Sequence, residues 1–144
     1  VLRFDVNVAN EVFPNNTFTF DIDNEALPIS DYAYLVYLRV LVNGGSDLVP
    51  VSGMTPLTGI PYCFFQVNTI SERFELIFLE KSDLQTFFNV PNNNEFIGIR
   101  YFAIRVNEDQ ASRGGLKGVY ADLKAAGVDV SDYQQVAKYF GYTD

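Results

Sequence analysis

The segment DYAYLVYLRVLV (31–42) constrains this chain more than any other. Read as a strand, it places Tyr32, Tyr34, Val36, Leu38, Val40 and Val42 on one face. Ala33, Leu35, Tyr37 and Leu41 make the other face nearly as apolar, and Arg39 is its interruption. Successive side chains of a strand point to opposite sides, so such a segment needs cover on both. EFIGIRYFAIRV (95–106) has the same character. Whatever the fold, these two strands belong at its centre.

The flanking segments are simpler. LRFDVNV alternates, with Leu2, Phe4, Val6 and Val8 on one side and Arg3, Asp5 and Asn7 on the other. TFTFDID alternates again through Phe18, Phe20 and Ile22. This period of two marks half-buried strands of an antiparallel sheet. The turn signals are PNN (14–16), NGG (43–45) and PNNNE (91–95). DLVPV reads as a short edge strand, because Pro50 cannot donate to a ladder. Residues 52–61 read as a loop, YCFFQV and RFELIFLE as strands, and SDLQTFF (82–88) fits either a strand or a short capped helix. Seven or eight strands at this spacing predict a mainly β fold: a single antiparallel β-sandwich, jelly-roll-like, over residues 1–106.

Residues 107–144 change period. Leu116, Val119, Tyr120 and Leu123 follow the stripe of an amphipathic helix, and Gly127 suits its left-handed cap. Ser131 is placed as the next N-cap, with Gln134 at capping-box spacing. Tyr133, Val136, Ala137 and Phe140 continue the stripe. The expectation is a C-terminal helical hairpin packed on the sandwich or on a neighbouring subunit. Its interface residues are Leu116, Val119, Tyr120, Leu123, Tyr133, Val136 and Phe140.

Several chemistries are excluded by what the chain lacks. It has no histidine, so Ser–His–Asp, Cys–His and His-based zinc sites cannot be built. Its one cysteine, Cys63, forbids an intrachain disulfide and sits in an apolar run. A formal charge of −8 and the absence of any Lys/Arg run argue against nucleic-acid partners. The uncharged stretch 48–71 is broken by Pro50, Gly53, Pro56, Gly59 and Pro61, so it predicts no membrane-spanning helix. The glycine loop SRGGLKGVYADLK (112–124) fails both nucleotide fingerprints. Gly118 follows Lys117 where Ser or Thr is needed, and no βαβ unit surrounds adjacent Gly114 and Gly115. It reads as a hinge between sheet and helix.

Two candidate ligand sites remain. Asp21, Asp23 and Glu25 alternate in DIDNE and could offer oxygens to calcium, although the EF-hand spacing is absent. Otherwise they are a charged strand edge. Tyr32, Tyr34, Tyr37, Tyr62 and Tyr101 could stack on sugar rings, but their spacing favours the core. Glu72/Glu75 and Glu108/Asp109 are carboxylate pairs without a motif. No cofactor is implied, and the chain reads as a non-enzyme. The expectation is a structural or assembly protein with protein-subunit partners, a homo-oligomer or larger assembly. Its concrete form is a virion component (small capsid, penton or appendage subunit), placed in a virion or other extracellular assembly. The alternative is a carbohydrate-binding β-sandwich module, calcium-assisted through Asp21 and Asp23.

Overall fold

The two doubly apolar segments become the neighbouring central strands of one sheet. In the computed structural model, which describes residues 1–7, 17–21, 31–42, 45–51, 53–54, 62–68, 73–79 and 96–143, the chain is mainly β with antiparallel sheets and three helices. Its strands are β1 (Leu2–Asn7), β2 (Thr17–Asp21), β3 (Tyr32–Val42), β4 (Gly45–Val51), β5 (Gly53–Met54), β6 (Tyr62–Asn68), β7 (Arg73–Leu79) and β8 (Phe96–Arg105). They pair in the orders β1-β8-β3-β4 and β2-β7-β6-β5. β4 lies at an edge, and Pro50 stands opposite Tyr37 with its missing N–H off the ladder. β5 falls within the segment expected as loop. The ambiguous 82–88 segment lies outside the described residues, as does the turn at 91–95.

Both faces of β3 and β8 are covered. Tyr34, Val36, Leu38 and Val40 of β3 and Ile99, Tyr101 and Ala103 of β8 are buried on one side. There Phe4 of β1 stacks on Tyr101 with ring centroids 5.0 Å apart. On the other side Ala33, Leu35, Tyr37, Phe102 and Ile104 are buried under the C-terminal helices.

Those helices are α1 (Glu108–Ser112), α2 (Leu116–Ala125) and α3 (Tyr133–Tyr139). α1 was not legible as a stripe; it is a single turn started by a reciprocal cap between Asn107 and Gln110. Gly114 and Gly115 then take φ of 93° and 65°, a left-handed region that side chains avoid, and reverse the chain into α2. α1 and α2 pack so closely that a Cβ on Gly118 would lie 2.6 Å from the Gln110 carbonyl oxygen. Gly127 caps α2 with φ of 77°. The cap of α3 is Asp132 rather than Ser131: Asp132 accepts from the Gln134 and Gln135 amides, while the Ser131 hydroxyl donates to Asp129. The Asp132 carboxylate satisfies two orphan amides at once.

Val119 and Leu123 of α2, with Tyr133, Val136 and Ala137 of α3, close over the sheet. Phe102, with no exposed surface, is the hub. Its ring stacks on Tyr133 at 5.7 Å and meets Tyr37 edge-on at 6.3 Å. Phe140 and Tyr142 complete the surround at 5.9 and 5.7 Å. The Tyr142 hydroxyl also donates to the Val1 carbonyl at 2.9 Å, which ties the last turn to the first strand. No helix among the described residues is long and apolar enough to cross a membrane.

Candidate functional site

The helices cover only the apolar end of their sheet face. Beyond them the same face turns polar, because β1, β3 and β8 place Asp5, Arg39 and Arg100 there. The register sets Asp5 opposite Arg100, and Arg39 opposite Gly98 and Leu48. Between Arg39 and Val40 the pairing with β8 slips by one residue, leaving Ile97 as the extra residue of a bulge. Bulges re-aim side chains and recur beside functional sites. A Cβ on Gly98 would meet the Arg39 Cβ at 3.6 Å and the Val6 carbonyl at 3.0 Å, so the glycine makes room for Arg39.

Tyr133, at the start of α3, joins the helices to this polar end. Its hydroxyl accepts from Arg100 Nη1 at 2.9 Å and from Arg3 Nη1 at 3.2 Å. Arg100 also donates through Nε to Asp5 Oδ1 at 2.6 Å, and its guanidinium lies 5.3 Å from the centre of the Tyr133 ring. Burial works against the Arg100 charge. The hydrogen bonds to Asp5 and Tyr133 outweigh it and hold the pKa above its ordinary value. The Arg100 side chain keeps 13% of its surface exposed and Arg39 keeps 33%. Arg39 approaches Asp5 only at 3.7 Å, on the oxygen that Arg100 already holds.

Of these groups Arg39, Arg100 and Tyr133 line an open cleft of about 590 Å³ between β3, β4, β8 and the start of α3. Arg39, Arg100, Ser46, Asp47, Asp132 and Gln134 supply its polar atoms, and Leu48, Pro50 and Tyr133 its apolar ones. The arrangement can bind a polar ligand through guanidinium donors and carboxylate acceptors.

Of the residues singled out from sequence, Tyr133 reaches this cluster, and the other described ones fall elsewhere. Asp21 ends β2, opposite Arg73, while Asp23 and Glu25 lie outside the described residues. No group of three or more His, Cys, Asp or Glu among the described residues is placed to hold a metal ion. Val119, Leu123, Tyr133 and Val136 are buried against the chain's own sheet, and Phe140 is partly buried there. Leu116 and Tyr120 each remain 37% exposed. In the glycine loop, the amides of Gly114 and Gly115 donate to the Ala111 and Gln110 carbonyls. Arg113 is clasped by Asp109 at 2.5 Å and Asp122 at 2.9 Å. The loop is a joint whose polar groups serve the joint itself.

The Arg39–Asp5–Arg100 cluster was not found by motif. Its one sequence signal is that Arg39 is the lone charge inside DYAYLVYLRVLV. No protein-family model, no curated protein and no solved structure matches this chain.

Proposed function

We propose that this chain is a non-catalytic structural or assembly domain, most concretely a virion component such as a small capsid, penton or appendage subunit. We further propose that its two sheets stack as a jelly-roll-like sandwich. The observation that carries the reading is the nested pairing. β1 pairs with β8 in one sheet and β2 with β7 in the other, the two outer pairs of a long double ribbon folded across two layers, while inside them β3–β4 and β5–β6 pair as neighbours in sequence instead of continuing the ribbon. Jelly rolls of this kind recur in capsid subunits. The α2–α3 stripe is spent on the chain's own sheet, so subunit contacts fall to the exposed strand edges β1 and β4. Leu116, Tyr120 and the half-exposed Tyr139 offer further apolar surface. Light scattering on the full chain across a concentration series tests this. Defined oligomers or particles are expected, and a strict monomer at high concentration overturns the proposal.

A second reading, a carbohydrate-binding module, is favoured by the cleft, whose mixed amide, hydroxyl, carboxylate and guanidinium lining suits sugar hydroxyls. A glycan screen with and without EDTA tests it. Binding is expected, with EDTA reporting any calcium held through Asp21 and Asp23. Silence in both arms overturns it.

A further inference from the structure

Arg39 is an arginine whose charge is poorly matched. Its planar fork carries five N–H donors. Asp5, at 3.7 Å, is its one ion-pair partner among the described residues, and Arg100 takes the same oxygen at 2.6 Å. The other acids of the cleft are engaged. Asp132 accepts from the Gln134 and Gln135 amides and from the Gln135 side chain, and Asp47 accepts from the Leu48 amide. A guanidinium in a concave, partly desolvated site favours a carboxylate held by two parallel hydrogen bonds.

The surroundings narrow the ligand. Asp5, Asp47 and Asp132 lie near enough to repel a densely charged polyanion such as polyphosphate. They accept readily from hydroxyl donors, as the Ser46 and Ser131 side chains also can. Arg39 and Arg100 line a second, adjoining cleft of about 390 Å³ that includes Asn7 and Gly98. A chain-like ligand crossing the two arginines therefore has room on both sides. The bulge at Ile97 and the missing side chain at Gly98 give Arg39 its position on that ridge.

We propose that this double cleft binds a carboxylated oligosaccharide of the uronic-acid class, with Arg39 forking onto a sugar carboxylate and Asp47 and Gln134 taking hydroxyls. The inference rests on the carbohydrate-binding reading and gives that reading a charge and an anchor. It is independent of the assembly proposal, since a virion subunit that recognises an acidic glycan satisfies both.

Calorimetric titration of the full chain with trigalacturonic acid, and with the methyl ester of the same trimer, is the test. The acid is expected to bind at least about tenfold tighter than the ester, and Arg39→Ala to abolish that preference. Arg39→Lys keeps the charge without the fork and is expected to retain part of it. Equal binding of acid and ester overturns the inference while leaving the carbohydrate reading intact. Binding of neither overturns the inference, and the carbohydrate reading falls with it only if the glycan screen is silent as well. A preference that survives in Arg39→Ala removes Arg39 as the anchor. Should Arg39→Ala not fold, Arg39→Lys and the ester comparison on the unmodified chain decide the matter.

Discussion

The Tyr37 hydroxyl donates to the Val130 carbonyl across 2.7 Å, and this bond ties the centre of β3 to the turn that begins α3. The same ring meets Tyr133 edge-on at 5.3 Å. One side chain thus fixes both the height and the orientation of the helical layer over the sheet. Tyr37→Phe keeps the ring and leaves a carbonyl without its donor. It is expected to cost about 1–2 kcal/mol. Urea unfolding should show a lower midpoint with an unchanged slope; an unchanged midpoint would mean the bond contributes nothing.

Phe102 sets the other scale. It is wholly buried among Tyr37, Tyr133, Phe140 and Tyr142, so truncation removes contacts on every side. Phe102→Ala should cost about 3–5 kcal/mol. Leu116→Ala, on the exposed side of α2, should stay within about 0.5 kcal/mol. Similar losses for the two would contradict the packing of the helices on their own sheet.

Gly118→Ala tests a close approach. Alanine normally improves a helix interior by about 1 kcal/mol over glycine. Here the new methyl would meet the Gln110 carbonyl oxygen at 2.6 Å and the Gln110 Cα at 2.8 Å, and backbone atoms cannot swing away. A net loss of about 1–3 kcal/mol is expected, as for overpacked sites generally. A gain in melting temperature would refute the α1–α2 geometry.

Alkaline pH should unfold the chain through its buried tyrosines. Burial pushes the Tyr34 hydroxyl up to about 12, and burial raises Tyr37 as well. An unfolded tyrosine ionises near 10, so the folded state holds these protons longer. Their contribution is complete below pH of about 10 and is lost as pH rises through the folded values. The share of the tyrosinate absorbance that belongs to the buried rings should lag behind that of free tyrosine and then rise together with loss of the near-UV signal. A simple titration near 10 with the fold intact would overturn the assignment.

The strands were legible because their period of two survives in the residue pattern, and the central pair because DYAYLVYLRVLV and FIGIRYFAIR are apolar on both faces. The helical stripe was legible too, down to the left-handed Gly127. The cap was misplaced by one residue, since Ser131 and Asp132 are adjacent and both are good caps, and it is the Asp132 carboxylate that takes the Gln134 and Gln135 amides. The cleft was hidden for a different reason. Asp5, Arg39, Arg100 and Tyr133 come from four distant segments, and sequence spacing carries no trace of a long-range register. Gly118 fell in the stretch read as a hinge and helix start, and the structure uses its missing side chain to seat one helix on another.

The bond from the Tyr142 hydroxyl to the Val1 carbonyl brings the two extremities of the described chain side by side. Whatever precedes Val1 and whatever follows Tyr142 must therefore emerge from one spot, beside Arg3, whose guanidinium lies 4.8 Å from the centre of the Tyr142 ring. A fusion partner at either end would crowd the same corner, and a short peptide could join the ends into a circle. New ends could then be opened in a surface loop without pulling the β1 strand from the sheet.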